Sequence, residues 1–246
     1  FVISSGTITN LSDIKIGELT NTGNIVGDSG TLTINKGGIN SSTSSIIQRE
    51  ISIKGTLENA GIIEAKDSLT NGGTIKNTNS IITNVINNTG TISGATGILT
   101  INEGGKNTGT ISQKEVILGG GNFTNNGTIT IAESFTNNTL IEGTGTLNIK
   151  GGGANNEVLK QANITFSGAD NTFTNNSNMT LSGKLTNSTA HLANNSNITT
   201  GSLVNSGKID GSGNLTINGN GTIKGEKSLF ELLDNLFITS VWKSNF

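Results

Sequence analysis

A seven-residue phrase returns throughout this chain. "FTNNGTI" occupies Phe123–Ile129, "FTNNTLI" occupies Phe135–Ile141, and "FTNNSNM" occupies Phe173–Met179. All three are copies of one alternating pattern: apolar, x, Asn, x, small, x, apolar. The pattern also runs through Leu19-Asn21-Gly23-Ile25, Leu57-Asn59-Gly61-Ile63, Leu69-Asn71-Gly73-Ile75 and Ile86-Asn88-Gly90-Ile92. It returns at Leu192-Asn194-Ser196-Ile198 and Leu203-Asn205-Gly207-Ile209. Asn107-Gly109-Ile111 is a partial copy with Gly105 in the apolar slot, and Leu185-Asn187-Thr189-His191 is a degenerate one. Successive copies lie about 12, about 17 to 19, or about twice 19 residues apart, the length of part of one solenoid coil, one coil or two.

Alternate residues of a strand face the same way, so the apolar, Asn and small slots share one side. The apolar residue belongs in the core, and the Asn follows it at an inward-facing corner. A buried, unpaired amide costs about 1–3 kcal/mol. Stacking one Asn on every coil removes that cost, because each amide donates to the next along the axis, as in cross-β amide ladders. The small residue lets the chain turn, and the closing Ile re-enters the core. By the same parity Phe123 and Phe135 are expected to stack in neighbouring copies.

Two further units accompany the first. Gly-x-Leu-x-Ile appears as "GTLTINKGG" from Gly30, "GILTINEGG" from Gly97, "GTLNIKGGG" from Gly145 and "GNLTINGNG" from Gly213. A Gln-led unit appears as "QREISIKG" from Gln48, "QKEVILGG" from Gln113 and "QANITFSG" from Gln161. The order of units repeats with an offset of roughly 116 residues, and the second copy carries a short insertion near Ala169–Asn171. The composition agrees with short strands and tight turns: 35 Gly, no Pro, and only 13% charged residues. Ile and Thr favour strands, Asn and Gly favour turns, and Pro would remove ladder donors. The expected fold is an all-β, right-handed parallel β-helix (β-solenoid) of roughly 12 coils over residues 1–227, in two related blocks.

From Ser228 the texture changes to "SLFELLDNLFITSVWKSNF". Leu229, Phe230, Leu232, Leu233, Leu236 and Phe237 fall at helical spacing, and Ser228 with Glu231 forms a capping-box signature. Residues 228–246 therefore read as a short amphipathic helical segment. It serves as a cap on the last coil, as a membrane-active or partner-binding helix, or as an altered terminus.

No chemistry-bearing constellation stands out, so no catalytic, cofactor-binding or metal residue is assigned. His191 is the sole histidine and reads as a drifted core or surface position. Asp13, Asp28, Asp67, Asp170, Asp210 and Asp234 are isolated in sequence. Stacked coils offer pairings of distant acids, such as Glu103 with Glu115 or Glu142, but nothing in the sequence favours them. Thr-x-Thr pairs at Thr7/Thr9, Thr31/Thr33 and Thr128/Thr130 raise an ice-binding alternative, although they are sporadic. The formal charge of -2, with scattered lysines, argues against a nucleic-acid partner. No apolar run approaches the ~20 residues that cross a bilayer. The chain starts at Phe1 inside a repeat-like stretch, and it reads as part of something longer.

The repeats "LTNTGNI", "LTNGGTI" and "LVNSGKI", with "GTLTINKGG" and "GTLNIKGGG", resemble those of bacterial autotransporter passenger domains. The composition is similar to the rickettsial surface-cell-antigen branch. "FTNN" also resembles the short repeats of chlamydial polymorphic membrane proteins, but their Gly-Gly-Ala-Ile companion is missing. The resemblance covers about residues 1 to 225. It implies secretion, display on the outer-membrane surface as a stalk or adhesin, a host-cell or extracellular-matrix ligand, and a translocator β-barrel in the parent protein. The residues themselves, with no catalytic cluster, lead to the expectation of no cofactor and no enzymatic activity. Filamentous exoproteins of two-partner secretion share such repeats, and a polysaccharide-active β-helix enzyme is a further alternative.

Overall fold

The computed structural model describes residues 1–224, 236–238 and 243–245, with side chains through Thr222. Strands make up 71%, no helix occurs among the described residues, and the strands build a parallel β-solenoid of about 12 turns. The chain forms two compact units, Phe1–Gly121 and Asn122–Phe246.

In the first unit a coil takes 17 to 21 residues and lays down three short strands on three faces. Face A stacks Leu19, Gly38, Leu57, Ile75, Ile92 and Ile111 in parallel register. Face B stacks Ile25, Ile46, Ile63, Ile81, Leu99 and Val116. Face C stacks Leu32, Ile51, Leu69, Ile86 and Gly105. The Ile, Leu and Val side chains of these columns are fully buried, each contributing about 1.5–3 kcal/mol of apolar transfer. The three-face arrangement explains the shorter repeat spacing. Leu57 sits on face A and Leu69 on face C, so that step goes part of the way around a coil.

The second unit repeats the pattern with coils of 17 to 21 residues. Phe123, Ile141, Leu159, Met179, Ile198 and Leu215 stack as on face B. Ile129, Leu147, Ile164, Leu185 and Leu203 stack as on face C. Phe135, Gly153, Phe173, Leu192 and Ile209 stack as on face A.

The inward Asn side chains form the expected ladders. In the first unit Asn21 donates to Asn40 (2.8 Å), Asn40 to Asn59 (2.7 Å) and Asn59 to Asn77 (2.8 Å). In the second, Asn137 donates to Asn155 (2.7 Å), Asn155 to Asn175 (2.8 Å) and Asn175 to Asn194 (2.9 Å). The second amide hydrogen reaches a backbone carbonyl on the next coil, as from Asn40 to Ile62 (3.1 Å). At the ladder heads, where no rung donates from below, the Asn oxygen accepts its own i+2 amide: Gly23 for Asn21 and Thr139 for Asn137. These are Asx turns. Shorter ladders run through Asn71, Asn88 and Asn107 and through Asn187 and Asn205. Their heads lie beside Ile53 and Phe166. Asn71 Oδ1 and Asn187 Oδ1 are buried with no donor, the same defect in both units.

The Gln-led unit has a structural purpose that parity alone does not reveal. Asn77 bypasses the next coil and donates to Gln113 Oε1 (2.7 Å), 36 residues on. Asn10 does the same with Gln48, 38 residues on, and Asn125 with Gln161, 36 residues on. The bypassed coil carries Gly27, Gly94 or Gly143 at the rung position. At Gly94 a Cβ would stand 1.6 Å from the Asn77 carbonyl oxygen, and at Gly97 2.5 Å from Asn77 Nδ2. Only glycine lets the backbone close in there while the amide passes through. Glutamine is one methylene longer than asparagine, so it reaches back across the gap. Its own Nε2 is satisfied by the preceding carbonyl, as from Gln113 to Ser112 (2.8 Å).

Two expectations need correction. Phe123 and Phe135 lie on different faces and do not form a stack. Phe135 instead meets Phe173, two coils along, with ring centroids 6.4 Å apart and planes 13° from parallel. The intervening coil has Gly153 in that slot, so the two rings lean into the vacant space. The amphipathic helix expected over residues 228–246 lies for the most part outside the described residues. The two described pieces, Leu236–Ile238 and Lys243–Asn245, are strands that pair in parallel with Leu215–Ile217 and Thr222–Lys224. Apolar spacing loses there to the edge of an existing sheet, which supplies ladder partners.

Candidate functional site

The inward slots are filled by core and ladder residues, so chemistry toward a partner falls to the outward positions. On face A of the first unit, Thr56, Thr74, Thr91 and Thr110 form a hydroxyl column in register. Beside it, Gly37 and Gly38 remove two side chains from one coil. This leaves an open depression of about 380 Å³ lined by Glu18, Thr20, Ile39, Thr56 and Glu58 among others. Ile39 is 46% exposed there, and Glu58 is held by Lys76 at 3.0 Å.

The second unit places different chemistry on the corresponding column. Thr172, His191 and Lys208 stand in register, and Ala193 pairs with Asp210 two residues further along the strand. These positions correspond to Thr56, Thr74, Thr91 and Ser93 of the first unit. Strand alternation turns Phe173 and Leu192 inward, both fully buried, so Thr172 and His191 face outward. His191 Nδ1 lies 3.2 Å from Thr172 Oγ1, and His191 Nε2 lies 2.6 Å from Asp210 Oδ1. Lys208 Nζ lies 2.6 Å from the other Asp210 oxygen. An ionised carboxylate has no proton to give, so Nε2 carries the hydrogen toward Asp210. In the neutral ring Nδ1 then accepts from the Thr172 hydroxyl. The Asp210 side chain is 16% exposed and that of His191 34%. Partial burial pushes the Asp210 carboxyl up, but the hydrogen bonds and charges of Lys208 and His191 more than offset this and hold it below the ordinary aspartate value.

The insertion foreseen near Ala169–Asn171 leads directly into this group. Asp170 adopts a left-handed conformation, φ 63°, a region that Asp visits more readily than most residues. The Asn171 carbonyl accepts the His191 amide at 3.0 Å.

A second surface feature also distinguishes this unit. Asn138, Asn156, Asn176 and Asn195 form an exposed ladder one residue beyond the buried rungs. Its amides donate in the opposite direction, from each later coil to the earlier one. Asn178, Asn197 and Asn214 form another.

Several sequence readings change. His191 does not fill the apolar slot of its degenerate copy; Ala190 and Leu192 take the buried positions around it. Asp210 is not isolated, and neither are Asp28 and Asp67, which pair with Lys66 and Arg49. Glu103 accepts from Asn84 (3.2 Å), whereas Glu115 lies opposite Ile98. Asp234 lies outside the described residues. Sequence reasoning missed the Thr172–His191–Asp210 alignment. Among the described residues no three His, Cys, Asp or Glu side chains group as metal ligands, and no helix is long and apolar enough to cross a membrane. The chain matches no family model, no curated protein and no solved structure.

Proposed function

We propose that this chain is the display portion of a secreted bacterial surface protein of the autotransporter kind, acting by adhesion or as a stalk. The parent then supplies a translocator β-barrel and presents the solenoid outside the cell to a host surface or matrix ligand. One observation carries this reading. Core residues and amide ladders occupy the inward slots, while the outward columns repeat small polar groups at about 4.8 Å with few charges. Such a surface suits a scaffold that presents one face many times over. The test is direct: beads coated with the purified chain are offered to epithelial cells and to immobilised matrix proteins. Saturable binding, competed by soluble chain, is expected for an adhesin. A parent gene with no barrel downstream and no partner translocator would overturn the autotransporter assignment while leaving adhesion testable.

A further inference from the structure

We infer that Thr172 is an activated hydroxyl that accepts an acyl group from small, unhindered esters, with His191 as its base and Asp210 as the group that orients the ring. Three observations meet at one place. The only imidazole of the chain sits between a hydroxyl at 3.2 Å and a carboxylate at 2.6 Å. Thr172 and His191 pair in register on adjacent coils, and Asp210 lies on the next coil, two residues beyond the position that pairs with His191. The loop inserted in the second block ends at Thr172. The first unit carries Thr74, Thr91 and Ser93 in place of His191, Lys208 and Asp210, so the arrangement is not required by the fold. A base that takes the hydroxyl proton and is itself held by a carboxylate is the general arrangement for activating a weak oxygen nucleophile.

The step balances as follows. Thr172 Oγ1 attacks the ester carbonyl carbon and gives its proton to His191 Nδ1. The Oγ1–C bond forms, the bond from carbon to the ester oxygen breaks, and the imidazolium returns the proton to the departing oxygen. Thr172 is exposed, and Gly152, which precedes it in the column, carries no side chain. The neighbouring amides are committed: His191 N–H to Asn171 and Lys208 N–H to Ala190. With those donors engaged, stabilisation of the oxyanion is weak. The reactivity expected is therefore one acylation per chain followed by slow release, strongest with aryl esters whose leaving group needs little help.

The full chain is incubated with p-nitrophenyl acetate while nitrophenolate release is followed, and the acetylated peptide is located by mass spectrometry. One acetyl on Thr172 is expected, absent in Thr172→Val and retained in Thr172→Ser. His191→Gln should slow that acetylation about a hundredfold, and Asp210→Asn should slow it less. Because all three side chains face outward, far-UV circular dichroism should show each variant with the parent's β-signal. Acetylation confined to lysines or the N-terminal amine overturns the proposal. So does acetylation of Thr172 that proceeds equally fast in His191→Gln.

Discussion

The two units of this chain share an interior and differ on the surface. Asn10, Gly27 and Gln48 recur as Asn125, Gly143 and Gln161. Both have a ladder of four buried asparagines, and both leave a buried ladder-head oxygen, Asn71 or Asn187, without a donor. Even Thr83 and Thr200 repeat one contact, each hydroxyl donating to the carbonyl two residues on at 2.8 Å. Outward, the first unit carries a column of threonines, and the second carries Thr172, His191 and Lys208 with Asp210 near them. The interior recurs because a rung works only beside another rung: its amide must find a donor below and an acceptor above. The outward positions carry no such demand, so they are free to diverge, and functional differences belong there.

Substitutions can break this comparison at its strongest points first. Gly94→Ala should cost about 3 kcal/mol or more, since the methyl collides with backbone and severs the Asn77–Gln113 bond. Gly72→Ala, where a Cβ has nothing nearer than 3.8 Å, should stay within about 0.5 kcal/mol. Chemical denaturation of both variants checks the contrast.

Next in size, Asn59→Ala removes a mid-ladder rung and strands the Asn40 donor and the Asn77 acceptor. A loss of about 3 kcal/mol is expected, and Asn175→Ala in the second unit should match it within about 1 kcal/mol. Asn125→Ala, which leaves Gln161 Oε1 without that donor, should cost about 1–3 kcal/mol. A wide disagreement between Asn59 and Asn175 would break the claim of equivalent interiors. Asn176→Ala, in the exposed ladder, should change stability by less than about 0.5 kcal/mol.

The smallest expected effect separates the surfaces. The Asp210 carboxyl sits below its ordinary value of 3.8, so its contribution to stability is full above that value and is lost as the pH falls through the lowered one. Asp210→Asn should therefore flatten the decline of thermal stability below about pH 4. Ser93→Ala, the first-unit counterpart, should not.

Much of the interior was legible because parity is local. The residues around Asn21, Asn59 and Asn125 announce their own inward slots. What parity does not encode is which face a copy occupies, and that depends on how many residues complete a coil. Phe123 and Phe135 looked like stacked neighbours because they carry the same phrase, yet their 12-residue separation is only part of a turn. The bypass by Gln113 escaped notice because it joins residues two coils apart through a glycine that carries no side chain to read. His191 stands at the surface for a related reason: the degenerate repeat sets it in register with apolar slots, while Leu192 is the residue that fills the core. The equal 19-residue steps from Thr172 to His191 to Asp210 were present in the sequence. They acquire meaning only once the coils are aligned, because the first step is one 19-residue coil and the second is a 17-residue coil plus two residues along the strand.

Hydrogen exchange of the asparagine side-chain amides, followed by 15N-edited NMR, tests the ladders most directly. The account predicts that the Nδ2 protons of Asn40, Asn59, Asn155 and Asn175 exchange as slowly as the backbone amides of the strands around them. Those of Asn156 and Asn176 should exchange at close to the rate of a free amide. Equal, fast exchange at all six positions would contradict the claim that buried amide ladders hold successive coils in register.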